Sequence, residues 1–183
     1  MLLLLLACTP LPAPAIAEEP APVAVAEPSP PIVLAARRYL GRPWRWGGRG
    51  ETLDCLGLVF LAWSDVTGKP WRKLSVNPTT LVAEAQLGAP VPGLDGVRAR
   101  RIDYELLRAG DVVYFLGPRR NPNEPSLVSI EGVPLWVWHV GLYSGGGRFV
   151  VGDPFAGEVV ETDLAAYLAD HDDWYVGIYV TRP

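Results

Sequence analysis

The chain has 183 residues, 49% of them hydrophobic and 20% charged, enough for one globular core and short for two. Its formal charge of -4 leaves no basic stripe for the counterion release that drives nucleic-acid binding, so nucleic acid is excluded as an expected partner. Gly 19 and Pro 19 imply short elements separated by many turns rather than a long-helix or fibrous architecture.

The chain opens on five leucines, Leu2 to Leu6, too short a run to span a bilayer. Two export signals compete there. Leu5-Leu6-Ala7-Cys8 resembles a bacterial lipobox with Cys8 as the lipidated residue, and Ala15-Ile16-Ala17 offers a small-residue cleavage site before Glu18. Residues 1–17 are expected to be a signal or lipobox segment, and the protein to be exported, either periplasmic or held at the outer membrane through Cys8. Eight prolines fall between residues 9 and 31 without helical or strand periodicity, so residues 18–31 are expected to be an extended linker. Residues 32–183 form the expected folded domain.

Within that domain, apolar residues at helical spacing predict a helix from Ile32 to Leu40, stopped by Gly41-Arg42-Pro43. A second helix is predicted to begin at Asp54, with Leu56, Val59, Phe60 and Trp63 on one stripe and Gly68-Lys69-Pro70 as its stop. A third spans about Thr79 to Leu87. Beyond Gly110 the pattern turns to strands: Asp111 to Leu116, Leu135 to Tyr143, Arg148 to Val151, Glu158 to Thr162 and Trp174 to Thr181. Helices first and antiparallel strands second predict an α+β domain with the N-terminal helices packed on one side of the sheet.

With Cys8 lipidated or removed, Cys55 is the one thiol of the folded region, so no disulfide framework is available. It stands in the first turn of the second helix, where unpaired N–H groups and the positive end of the helix dipole favour a thiolate. Asp54 is placed to cap that helix or to shape the pocket. A cysteine nucleophile needs a base, and the chain has two histidines. His171 sits in the polar run Ala169-Asp170-His171-Asp172-Asp173 and reads as a loop residue. His139 interrupts the apolar strand Trp136 to Tyr143, where a buried ring must find a partner, and it is the candidate base. A three-residue turn Gly145-Gly146-Gly147 sets His139 opposite Asp153, which makes Asp153 the candidate acceptor for the second imidazole nitrogen, or else a turn residue before Pro154. Two histidines and one cysteine at these separations match no metal-ligand spacing, so no metal is expected.

Four segments, in order, resemble the NlpC-type cell-wall cysteine peptidases, a family with a reduced papain-like fold: Gly41-Arg42-Pro43-Trp44-Arg45-Trp46-Gly47-Gly48, Asp54-Cys55-Leu56-Gly57-Leu58-Val59, Gly110-Asp111-Val112-Val113-Tyr114-Phe115, and Trp138-His139-Val140-Gly141-Leu142-Tyr143. The resemblance implies hydrolysis of amide bonds in peptidoglycan stem peptides, often beside D-glutamate and a diamino acid, with Cys55 as nucleophile, His139 as base, and no cofactor. It also implies substrate contacts from Asp54, Trp44, Trp46 and Leu56. Three departures stand out. Leu56 replaces the family's serine, Trp44 replaces its tyrosine, and Val151 falls where its third polar residue belongs, with Asp153 two positions on as the expected substitute. The segment from Gly117 to Pro134 reads as a surface insertion, a lid or a partner surface. Two other readings remain open: an inactive wall-binding or assembly module on the same fold, and an amidase or acyltransferase using the same Cys-His pair. The sequence is silent on oligomeric state.

Overall fold

The computed structural model describes residues 29–183; the expected signal and lipobox segment, Cys8 and most of the linker lie outside the described residues. The first described helix, α1 (Pro31–Arg37), starts with proline at its first position, where the missing N–H costs nothing. It stops three residues short of the predicted Leu40. Arg38, Tyr39 and Leu40 N–H groups donate to carbonyls three residues back, tightening the chain into turns before Gly41.

Helix α2 (Cys55–Thr67) is capped by Asp54, whose carboxylate accepts the Gly57 N–H at 2.7 Å, and it ends at Gly68 in the left-handed region. Both ends thus follow from local chemistry. Helix α3 (Pro78–Ala83) is shorter than predicted, because the chain turns at Ala85 with φ 50° to enter a strand.

Seven strands form one antiparallel sheet: β1 (Ala89–Arg98), β2 (Val112–Gly117), β3 (Val128–Ile130), β4 (Val133–Gly145), β5 (Arg148–Asp153), β6 (Glu158–Asp163) and β7 (Gly177–Arg182). Their spatial order is β1-β7-β2-β4-β5-β6, with β3 paired to β4. The sequence pattern misses β1, which carries Pro90, Pro92, Gly93 and Gly96 and tolerates them as an edge strand with an irregular register. It also misses β3, inside the insertion.

Central strand β2 is buried on both faces. Val112, Tyr114 and Leu116 pack in the cluster holding α1 and α2, while Val113 and Phe115 pack in a second cluster with Leu164, Tyr167 and Leu168. Those three belong to α4 (Leu164–Asp170), a short helix between β6 and β7 that the sequence reading lacks. The expected α+β architecture is present, and α4 covers the sheet face opposite the N-terminal helices. At the end of the sheet, Asp111 is 1% exposed and takes two hydrogen bonds from the Arg182 guanidinium, at 2.7 and 2.8 Å, tying the start of β2 to the last strand. Among the described residues, no helix is long and apolar enough to cross a membrane.

Candidate active site

A cavity of about 190 Å³ lies between the N-terminus of α2 and the middle of β4, and both Cys55 and His139 line it. Three local features bring these residues, 84 positions apart, to one cleft. The first is the Asp54 cap, which fixes Cys55 as the first helical residue. The second is a bulge in β4: Phe115 pairs with His139 and Leu116 with Val137, so Trp138 is the extra residue, and its indole swings out to donate to the Arg119 carbonyl at 2.8 Å. The third is Gly152 on β5. A Cβ there would lie 2.8 Å from the Asp54 carbonyl oxygen and 3.2 Å from the Cys55 nitrogen, so only glycine lets the strand lie against the start of α2.

The imidazole of His139 is 3% exposed and packed among aromatic rings: Phe115 at 5.6 Å, Tyr175 at 5.8 Å and Tyr167 at 6.0 Å between centroids. Its Nε2 has no hydrogen-bond partner among the described residues. Burial, with a smaller contribution from His171, pushes its pKa down to about 3. Burial also pushes the Cys55 thiol up to about 12, with the Asp54 carboxylate adding to the rise; hydrogen bonding to the backbone at Val140 and Leu56 and the charge of Arg49 pull the other way. At neutral pH both groups therefore rest uncharged, as thiol and imidazole. Alkylation of Cys55 by iodoacetamide is accordingly expected to keep climbing about tenfold per pH unit through pH 10, in contrast to a free thiol, whose rate is half-maximal at about 8.5 and levels off about one unit above that; a rate that levels off below pH 10 would contradict this protonation state.

Asp153 does not fill the role expected of it. The glycine hairpin turns on two residues, Gly146 and Gly147, with Gly145 paired to Arg148, and a bulge at Ser144 restores the Tyr143–Phe149 and Leu142–Val150 register that a three-residue turn would give. That register still counts His139 against Asp153. The β4–β5 pairing, however, ends at Leu142–Val150, and β5 bends toward α2. The Asp153 carboxylate then accepts from the Phe155 N–H at 3.0 Å, the Ala156 N–H at 3.2 Å and the Tyr167 hydroxyl at 3.1 Å. It is a turn residue and an anchor for Tyr167, whose ring packs on His139, so any effect of Asp153 on the imidazole passes through that ring. Val151 is fully buried in the second core cluster.

Trp44, expected at the substrate, is absent from the cavity lining, and its buried Nε1 has no partner among the described residues. Trp46, at 76% exposure, stands at the cavity mouth, and Leu56 lines the interior beside Cys55. Asp54 lines it too. Sequence reasoning missed Arg49, Val76, Pro78, Asn121 and Glu124, all of which line the cavity. No local signal marks them, because they arrive from the loop before α2, from the approach to α3 and from the insertion. The insertion is pinned there as a wall: Trp136 donates to the Glu124 carbonyl at 3.1 Å, and Thr79 Oγ1 donates to the Glu124 carboxylate at 3.0 Å. Among the described residues, no group of three or more His, Cys, Asp or Glu side chains is placed to hold a metal.

The same arrangement of helices and sheet occurs in solved structures. The NlpC/p60 domain of the peptidoglycan hydrolase SagA superposes with a TM-score of 0.50 at 18% identity, over 84% of this chain and 97% of that one. The domain has the fold of the NlpC/p60 domain. A solved N-acetylmuramoyl-L-alanine amidase from Bacteroides uniformis shares this fold with a TM-score of 0.54 at 11% identity, over 83% and 97% of the two chains. A curated relative, a "Probable endopeptidase" of Corynebacterium glutamicum, is 33% identical over 120 residues, 65% of this chain. The chain spans about two fifths of that relative's length. No family model matches the sequence.

Proposed function

We propose that this NlpC/p60-type domain is a cysteine hydrolase that cleaves amide bonds in peptidoglycan stem peptides, acting as an endopeptidase. The observation that carries the reading is the convergence of Cys55 and His139 on one cleft, with Cys55 at the capped start of a buried helix. Supporting it are the fold, the relative named as an endopeptidase, and the solved domain named as a peptidoglycan hydrolase.

In this mechanism the Cys55 sulfur attacks the scissile carbonyl while its proton passes to His139, because neither group rests as an ion. The imidazolium then returns that proton to the leaving amine, the C–N bond breaks, and water hydrolyses the thioester with His139 again as base. The Cys55 backbone N–H, in the first turn of α2, has no acceptor within the helix and is the natural donor to the oxyanion. Export belongs to the same proposal, since the substrate lies outside the cytoplasm, and lipidation at Cys8 would hold the domain near it.

The test is incubation of the purified protein with muropeptides and identification of products by mass. Products are expected from the parent and none from Cys55→Ala. Binding without turnover by the parent would instead favour an inert wall-binding module, a reading that the unpartnered Nε2 of His139 and the hydrophobic Val151 support. Release of the stem from the sugar would favour an amidase.

A further inference from the structure

We infer that the cleft beside Cys55 takes an uncharged acyl residue and rejects one bearing a free carboxylate; this rests on the hydrolase reading and names the substrate class of the same site. Seven of the residues around the cavity have apolar side chains, among them Trp46, Leu56, Val76, Val137 and Trp138. Three are charged, and each is already engaged within the protein.

Asp54 is 6% exposed, and both of its carboxylate oxygens accept hydrogen bonds from within the protein. One oxygen accepts the Gly57 N–H at 2.7 Å and pairs with the Arg49 guanidinium, and the other accepts the Gly47 N–H at 2.9 Å. Arg49 in turn donates to the Gly48 carbonyl at 2.7 Å and lies over the Phe60 ring at 5.3 Å, leaving its side chain 17% exposed. The pair closes because residue 57 is glycine: a Cβ there would come within 2.1 Å of the Gly48 carbonyl oxygen and 3.2 Å of the guanidinium. Arg49 and Asp54 therefore cancel in net charge, and a substrate carboxylate would have to compete with the Asp54 carboxylate for the Arg49 guanidinium.

The remaining charge is Glu124, whose carboxylate accepts from Asn121 Nδ2 at 2.6 Å and Thr79 Oγ1 at 3.0 Å and has no cation paired to it among the described residues. The lining thus carries one net negative charge in a largely apolar cavity, and an anion entering it loses hydration and meets repulsion. Leu56, where a serine would offer a hydroxyl, removes one more donor from the wall.

The test uses two peptides that differ in one group, L-alanyl-γ-D-glutamyl-L-lysine with the glutamyl α-carboxylate free or converted to the carboxamide. Affinity is measured by calorimetry on the full chain carrying Cys55→Ala, and kcat/KM on the unaltered chain by mass of products. The carboxamide is expected to bind at least tenfold more tightly and to be cleaved at least tenfold faster. Glu124→Gln, which removes the lone charge, should shrink the preference to under threefold. Equal or tighter binding of the free acid, or no binding of either peptide, overturns the inference. A binding preference with no cleavage of either peptide by the unaltered chain supports the inference while removing the hydrolase reading.

Discussion

Gly152→Ala is expected to lower kcat/KM on a cleaved muropeptide by at least a hundredfold while leaving a folded protein. The added methyl meets backbone atoms, the Asp54 carbonyl oxygen at 2.8 Å, the Asp54 carbonyl carbon at 2.9 Å and the Cys55 nitrogen at 3.2 Å, and none of these can rotate away as a side-chain tip would. Either β5 or the start of α2 must move. The rest of α2 is held by a core of Leu58, Val59, Phe60 and Ala62, so the strain falls on its first turn, where Cys55 stands. Displacement by about 1 Å is enough for a loss of about 10² in rate. Steady-state kinetics with circular dichroism and thermal melts as controls measures this. Unchanged kcat/KM in a folded Gly152→Ala protein would mean that the position of Cys55 is not set by this approach.

His139 makes the second large prediction, on stability. Its folded pKa is depressed from 6.5 to about 3, so between these values the unfolded chain binds a proton that the folded chain does not. Folding stability therefore falls as pH drops through that window, by about 1.4 kcal/mol for each pH unit from this group alone. Above pH 6.5 the group contributes no pH dependence, and below about 3 the loss is complete. His139→Gln has no such proton to take up. The stability difference between parent and variant, measured by urea unfolding at pH 7, 6, 5 and 4, is expected to shift progressively in favour of the variant as pH falls. The carboxylates titrating in the same range are common to both proteins and cancel. Parallel curves would show that the folded chain takes up this proton as readily as the unfolded one, so that burial does not hold the ring neutral.

The helix that opens at Cys55 was legible in the sequence because its determinants are local: Asp54 supplies the cap, the apolar stripe supplies the buried face, and Gly68 supplies the stop. His139 was legible as the polar interruption of an apolar strand. Asp153 was misread even though its register against His139 was counted correctly, because counting assumes that paired strands stay paired, and β5 leaves β4 to reach α2. Strand β1 escaped notice for the opposite reason: its prolines and glycines argue against a strand, and an edge position tolerates them.

The sequence by itself determined the α+β class, the helix that presents Cys55 and the strand that presents His139, since each follows from capping groups and apolar periodicity within a few residues. The tertiary structure alone decided what surrounds them: Tyr167 rather than His139 as the partner of Asp153, the insertion as a wall of the cleft, the Arg49–Asp54 pair, and the uncharged resting state of thiol and imidazole. Hydrogen-bond partners and desolvation depend on which distant segments arrive at a point in space, and no short-range pattern encodes that arrival.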